Sequence, residues 1–132
     1  EPVTWSYLLH TVTNQMNVNM VNGFVHVQAT SKNGISDAYL LGSDELKTDT
    51  TSHFFTPATN WLRADDKGNF KKYPNHWHFT ATSGKHKVYR FVTIIHTHIN
   101  KTTPDKPFSI PQRLKDGSIK MGSWIIKANV SA

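Results

Sequence analysis

Residues 75–99 read NHWHFTATSGKHKVYRFVTIIHTHI, and the pattern within them decides the fold class. Trp77, Phe79 and Ala81 alternate with His78, Thr80 and Thr82, so an extended segment here has one apolar face and one polar face. Ser83-Gly84-Lys85 has the composition of a turn, because glycine adopts positive φ without steric cost. From Val88 to Ile99 the chain is dense in β-branched and aromatic residues and is apolar on both parities through Ile94 and Ile95. The expectation is a long antiparallel hairpin whose second strand is central and covered on both sides. His76, His78, Lys85, His86, Lys87, Arg90, His96 and His98 crowd its edges, with almost no acid nearby.

The remainder of the chain extends the same reading. Helical periodicity is absent, while turn signals recur at Asn22-Gly23, Asn33-Gly34, Gly42-Ser43, Asp66-Lys67-Gly68 and Asp116-Gly117. Short apolar runs between such signals predict an all-β fold, a two-layer antiparallel β-sandwich. Asn22-Gly23 is the clearest hairpin turn, joining a polar strand near Met16–Met20 to an apolar one over Phe24–Ala29. In the latter strand Val25, Val27 and Ala29 share one face, and Phe24, His26 and Gln28 share the other. Trp77, Phe79, Val92, Ile94, Trp124 and Ile126 are the expected core, with Trp5 beside them. Residues 43–75 are the least strand-like part, a polar connection punctuated by aromatics that should pack over one edge or display its rings to a ligand.

A chain of 132 residues is expected to form a single domain. It has no cysteine, which excludes disulfides and thiolate metal sites. No stretch approaches the about 18–20 apolar residues of a membrane-spanning helix, so no membrane partner is expected. The start at Glu1-Pro2-Val3 suggests a mature chain or a domain excised from a longer one. Fifteen Lys and Arg against nine Asp and Glu leave a net charge of +6, with eight histidines uncounted. That balance favours polyanionic partners, although solubility alone also accounts for it. No run of like charges resembles a nucleic-acid-binding arm.

Chemistry-bearing constellations are few. His76/His78 and His96/His98 are each spaced i, i+2, which on a strand puts both rings on one face. A tetrahedral ion would need further ligands, such as His26 or His10. Without a carboxylate at fitting spacing, neither a metal nor any other cofactor is expected. There is no cysteine nucleophile and no G-x-S-x-G elbow. The acids, Asp37 and Asp44 among them, fall in expected turns and loops, so no catalytic carboxylate pair is assigned. Aromatics beside cations are the better site chemistry, because a flat ring stacks on a sugar while Arg and Lys pair with carboxylate or sulfate. Trp61, Arg63, Lys71, Lys72 and Tyr73 combine both kinds of group in one loop. His78 and Arg90 join them as candidates if the hairpin face lies beneath that loop.

The W-x-F-x-A strand at Trp77–Ala81 and the R-F-V-T-I-I strand at Arg90–Ile95 occur in an order with wider likeness. They follow Trp5-Ser6-Tyr7-Leu8-Leu9-His10, Phe24–Ala29 and Tyr39-Leu40-Leu41, and they precede a strand near Trp124–Val130. This order resembles the C-terminal β-sandwich of heparinase II/III-like polysaccharide lyases across nearly the whole chain. The shared motifs are β-core patterns, and none is a catalytic signature. The resemblance implies one domain over residues 1–132 of a larger, secreted or periplasmic bacterial lyase, whose catalytic domain is then a partner. In that family the catalytic residues belong to a helical toroid and an adjoining β-domain, and a metal belongs to a neighbouring domain. No catalytic residue is therefore carried over, and the domain is expected not to be an enzyme.

The leading expectation is a non-catalytic carbohydrate-binding module that recognises uronate or sulfated polysaccharide. The alternative is a purely structural C-terminal domain that buttresses its parent lyase. A nucleic-acid-binding β-barrel is disfavoured, since the strand aromatics look like core and not like a paired surface platform. A cupin-like metal enzyme rests on the His pairs alone.

Overall fold

A computed structural model of the chain describes residues 1–13, 15–52, 59–64, 67–72, 76–99, 109–128 and 130, with 59–64 and 70–72 as backbone. Twelve strands run through these residues, and no helix occurs among them. They are β1 (Val3–Thr11), β2 (Gln15–Val21), β3 (Phe24–Thr30), β4 (Gly34–Gly42), β5 (Lys47–Thr51) and β6 (Thr59–Ala64). There follow β7 (Phe70–Lys72), β8 (Trp77–His86), β9 (Phe91–Ile99), β10 (Gln112–Arg113), β11 (Ile119–Met121) and β12 (Trp124–Ile126). Every pairing is antiparallel. The residues 43–75 thus hold three strands where the sequence suggests a long connection.

Two sheets make the sandwich. One has the order β1-β8-β5 and the other β2-β3-β4-β9. Their facing sides bury Met16, Val25, Val27, Ala38 and Leu40 against Phe79 and Ala81, with Tyr7, Leu9 and Trp77 packed around them. The opposite face of the four-stranded sheet is covered over part of its area by the meander β10-β11-β12. There Phe24, Tyr39 and Leu41 pack with Ile119 and Val130, and Val92, Ile94 and Ile126 adjoin them. Strand β3 puts Val25 and Val27 in one core and Phe24 in the other, with His26, Gln28 and Thr30 half-buried, so the faces divide as its alternation predicts. Asn22 and Gly23 form its two-residue turn with β2, at φ of 50° and 81°, the left-handed pair that a type I′ hairpin requires.

The expected hairpin over 75–99 does not form. Strand β8 pairs with β1 and β5, whereas β9 pairs with β4 in the other sheet. The turn is not at Ser83-Gly84-Lys85 either. Thr4 pairs with Lys85 and Ser6 with Thr82, so Ser83 and Gly84 together oppose Trp5 in a β-bulge. Ser83 Oγ accepts the Trp5 backbone N–H at 3.0 Å, satisfying a donor that the bulge takes out of the ladder. The chain instead crosses between sheets at residues 87–90. This corner is fastened to the β4–β5 corner, which makes the reverse crossing: Tyr89 Oη donates to the Asp44 carbonyl at 3.0 Å, and the Arg90 N–H donates to Ser43 Oγ at 3.1 Å.

Strand β9, Trp124 and Trp5 also differ from expectation. Strand β9 is an edge, not a centre: Ile95 and Ile99 are 57% and 65% exposed. Its apolar run serves both cores only over its first half, Phe91 on one side and Val92 with Ile94 on the other. The centre is β3 with β4, whose residues 37–42 are all buried. Trp124 is 71% exposed and outside the core, because it pairs with Met121 at the turn end of the β11–β12 hairpin. Ile126, at the other end of that pairing, packs inward. Trp5 is 40% exposed, with its indole N–H donating to the His86 carbonyl at 3.2 Å.

Candidate functional site

The backbone brings four of the seven candidate ligand-binding residues onto one hairpin. Trp61 and Arg63 stand two positions apart on β6, and Lys71 and Lys72 lie on β7. Thr59 pairs with Lys72 and Asn60 with Lys71, so the ring-bearing and cation-bearing strands are direct neighbours. Tyr73 lies outside the described residues.

His78 and Arg90 are not brought together. His78 is near the start of β8 and Arg90 lies in the corner after its end. The eight steps from His78 to His86 alone span about 26 Å of strand at roughly 3.3 Å per residue. His78 pairs with His10 and Thr51 on either side, and its ring lies 4.3 Å from that of His10. Burial, then the nearby His10 and His76, pull the His78 imidazole below its ordinary pKa. Arg90 is exposed beside Ser43.

A second site arises where the sequence offers the His96/His98 pair and His26 but no carboxylate at fitting spacing. Asp37, expected in a loop, sits inside β4 and is only 6% exposed. Its neighbours across the sheet are Gln28 on β3 and His96 on β9. Oδ1 receives His26 Nε2 at 2.7 Å and Gln28 Nε2 at 3.0 Å, while Oδ2 faces His98 Nε2 at 3.3 Å. Burial pushes the Asp37 carboxyl up, but the bonds from Gln28, His26 and His98 outweigh it and hold the group below the usual carboxylate range.

The His26 ring is fixed from three directions. Its Nε2 meets Asp37, its Nδ1 meets Asn19 Oδ1 at 3.0 Å, and its face stacks on Tyr39 with centroids 4.5 Å apart and planes 7° apart. Burial, with the Asp37 charge second, raises the Tyr39 phenol pKa, so Tyr39 stays neutral here. His96 and His98 lie on the same side of β9, with ring centroids 5.2 Å apart. The cluster occupies the part of the sheet face beside the Phe24–Tyr39–Leu41 core, on alternate positions of β3, β4 and β9.

The parity of β3 places His26 and Gln28 on this face, which the sequence shows. Missing from that reading is β4 as their partner, since no local pattern says that Asp37 lies between Gln28 and His96. No protein-family model matches the chain. No curated protein matches it.

Proposed function

We propose that this domain is a non-catalytic module that binds acidic polysaccharide, uronate or sulfated, as the accessory domain of a secreted bacterial polysaccharide lyase. One observation carries the reading: β6 and β7 pair, setting Trp61 and Arg63 on a strand adjacent to Lys71 and Lys72. One stacking ring and three cations carried on two paired strands are the residue types that an anionic sugar chain requires. The net charge of +6 adds long-range attraction for such a polymer. The lyase parent and the secretion rest on the family resemblance.

The test is calorimetric titration with heparin, alginate and a neutral glucan at low and high salt. Lys71→Ala with Lys72→Ala should lose affinity chiefly at low salt, because the Debye length falls from about 10 Å at 0.1 M to about 3 Å at 1 M. Trp61→Ala should lose affinity at both, since ring stacking is largely apolar contact. Full affinity in both variants moves the site off the hairpin.

A second reading, the structural domain that docks on its catalytic neighbour, has its own observation. Trp124 and Ile125 on the meander and Ile95 and Ile99 on β9 are large apolar groups left exposed. Failure of the parent protein to bind any of the three glycans favours this reading over the first.

A further inference from the structure

We propose that Asp37, His96 and His98 bind one divalent first-row transition-metal ion, zinc in the first instance, and that the ion staples the edge strand β9 to β4. The three residues come from adjacent strands in direct register, Asp37 opposite His96 and His98 two positions on. One ligand atom from each lies within 4.8 Å of the other two. Tetrahedral zinc with bonds of about 2.0–2.1 Å needs ligand atoms about 3.3 Å apart. Asp37 Oδ2 and His98 Nε2 already stand at 3.3 Å. With Oδ1 held by His26 and Gln28, the remaining closure falls to rotation of the His96 and His98 rings.

The carboxylate is prepared for the task. His26 and Gln28 occupy Oδ1 and leave Oδ2 turned toward β9, and Asn19 and Tyr39 hold His26 in place. Outer groups of this kind orient a ligating oxygen and sharpen its affinity. Two imidazoles and one carboxylate suit zinc, cobalt, nickel, copper or iron, whereas calcium and magnesium take oxygen ligands. The His98 side chain is 38% exposed, so an ion can enter from solvent and complete its shell with water. An ion pair with His26 alone would satisfy Asp37. Two more imidazoles gathered at the same carboxylate are what a metal site adds.

The experiment uses the tag-free chain of 132 residues, stripped with chelator and titrated with Zn(II) by calorimetry and thermal melting, with no glycan present. One ion per chain should bind, and at 100-fold excess over Kd the Tm should rise by roughly 10 °C. Co(II) should give the visible d–d bands of nitrogen and oxygen ligation. His98→Gln should weaken zinc binding at least tenfold and abolish the Co(II) spectrum, whereas His10→Gln should change neither. His96→Gln should behave as His98→Gln; if it does not fold, the exposed His98 decides. No zinc-dependent shift, or an unchanged shift in His98→Gln, overturns the proposal, as does its loss in His10→Gln. Glycan binding that fails while zinc binds leaves this inference standing, and the converse holds.

Discussion

The phenol of Tyr89 fills the space that a side chain at Gly42 would occupy. A Cβ built on Gly42 would run into the Tyr89 hydroxyl and stand 3.0 and 3.1 Å from two ring carbons. The last residue of β4 must therefore be bare for the corner at 87–90 to lie against the corner at 43–46. Gly42→Ala should destabilise by about 1–3 kcal/mol through displacement of the ring. Pairing it with Tyr89→Phe in a double-mutant cycle should show non-additivity, since both changes act on one contact. Urea unfolding midpoints check this, and additive effects would separate the two residues.

Tyr89 also predicts an alkaline response. Burial, with Asp44 second, pushes its phenol up to about 12. A tyrosine whose native pKa lies above its unfolded value of 10.0 contributes stability that is complete below that value. The contribution is lost as pH rises from there through about 12. The difference in near-ultraviolet phenolate absorbance between the parent and Tyr89→Phe should show the late titration. Titration of that difference signal near 10 would show that the Tyr89 ring is not buried in solution.

Asp37 predicts the acid response, with the sign reversed. Its native carboxyl is held low, so its contribution is present above the ordinary carboxylate value of about 3.9 and is lost as pH falls through the lower native one. In chelator, the stability gap between the parent and Asp37→Asn should narrow steadily below about pH 4. A gap that stays constant from neutrality down to acid unfolding would mean that the carboxylate is not preferentially stabilised by Gln28, His26 and His98.

Two large aromatics should diverge in their effect on stability. Phe79 is fully buried between the sheets, and Phe79→Ala should cost about 3–5 kcal/mol. Trp124 is 71% exposed, and Trp124→Ala should fall within about 0.5 kcal/mol of the parent. Chemical denaturation of the two variants distinguishes them. A large loss at Trp124 would show that its ring is packed within the chain and not exposed on the meander.

Local patterns carried the fold as far as local patterns reach. The alternation at Val25–Ala29 and Trp77–Ala81, and the turn at Asn22-Gly23, are legible because each concerns neighbours in sequence. Partner choice is not local. Alternation says that residues 77–86 and 91–99 are strands, but it cannot say that they join different sheets. Gly84 was ambiguous for a related reason, because an isolated glycine serves a turn and a bulge equally well. Trp124 misleads because parity reports a face, not how far along a short hairpin the packing ends. The Asp37 cluster needed three strands aligned at once, and only Thr30↔Ile35 and Gly34↔Ile99 pairing sets that alignment.

The pairing of Val3 with His86 sets an order for assembly during synthesis. Strands β2, β3 and β4 follow one another through short turns and can close as soon as residue 42 is made. The N-terminal strand has no such neighbour. Its partner β8 is complete only at His86, so at about 5–20 residues per second β1 waits roughly 4–15 s after its own completion. Until then Leu9, which packs into the core of the finished sandwich, stands without its sheet. Folding should be slow for a domain of this size, limited by bringing β1 and the mid-chain strand β5 onto β8.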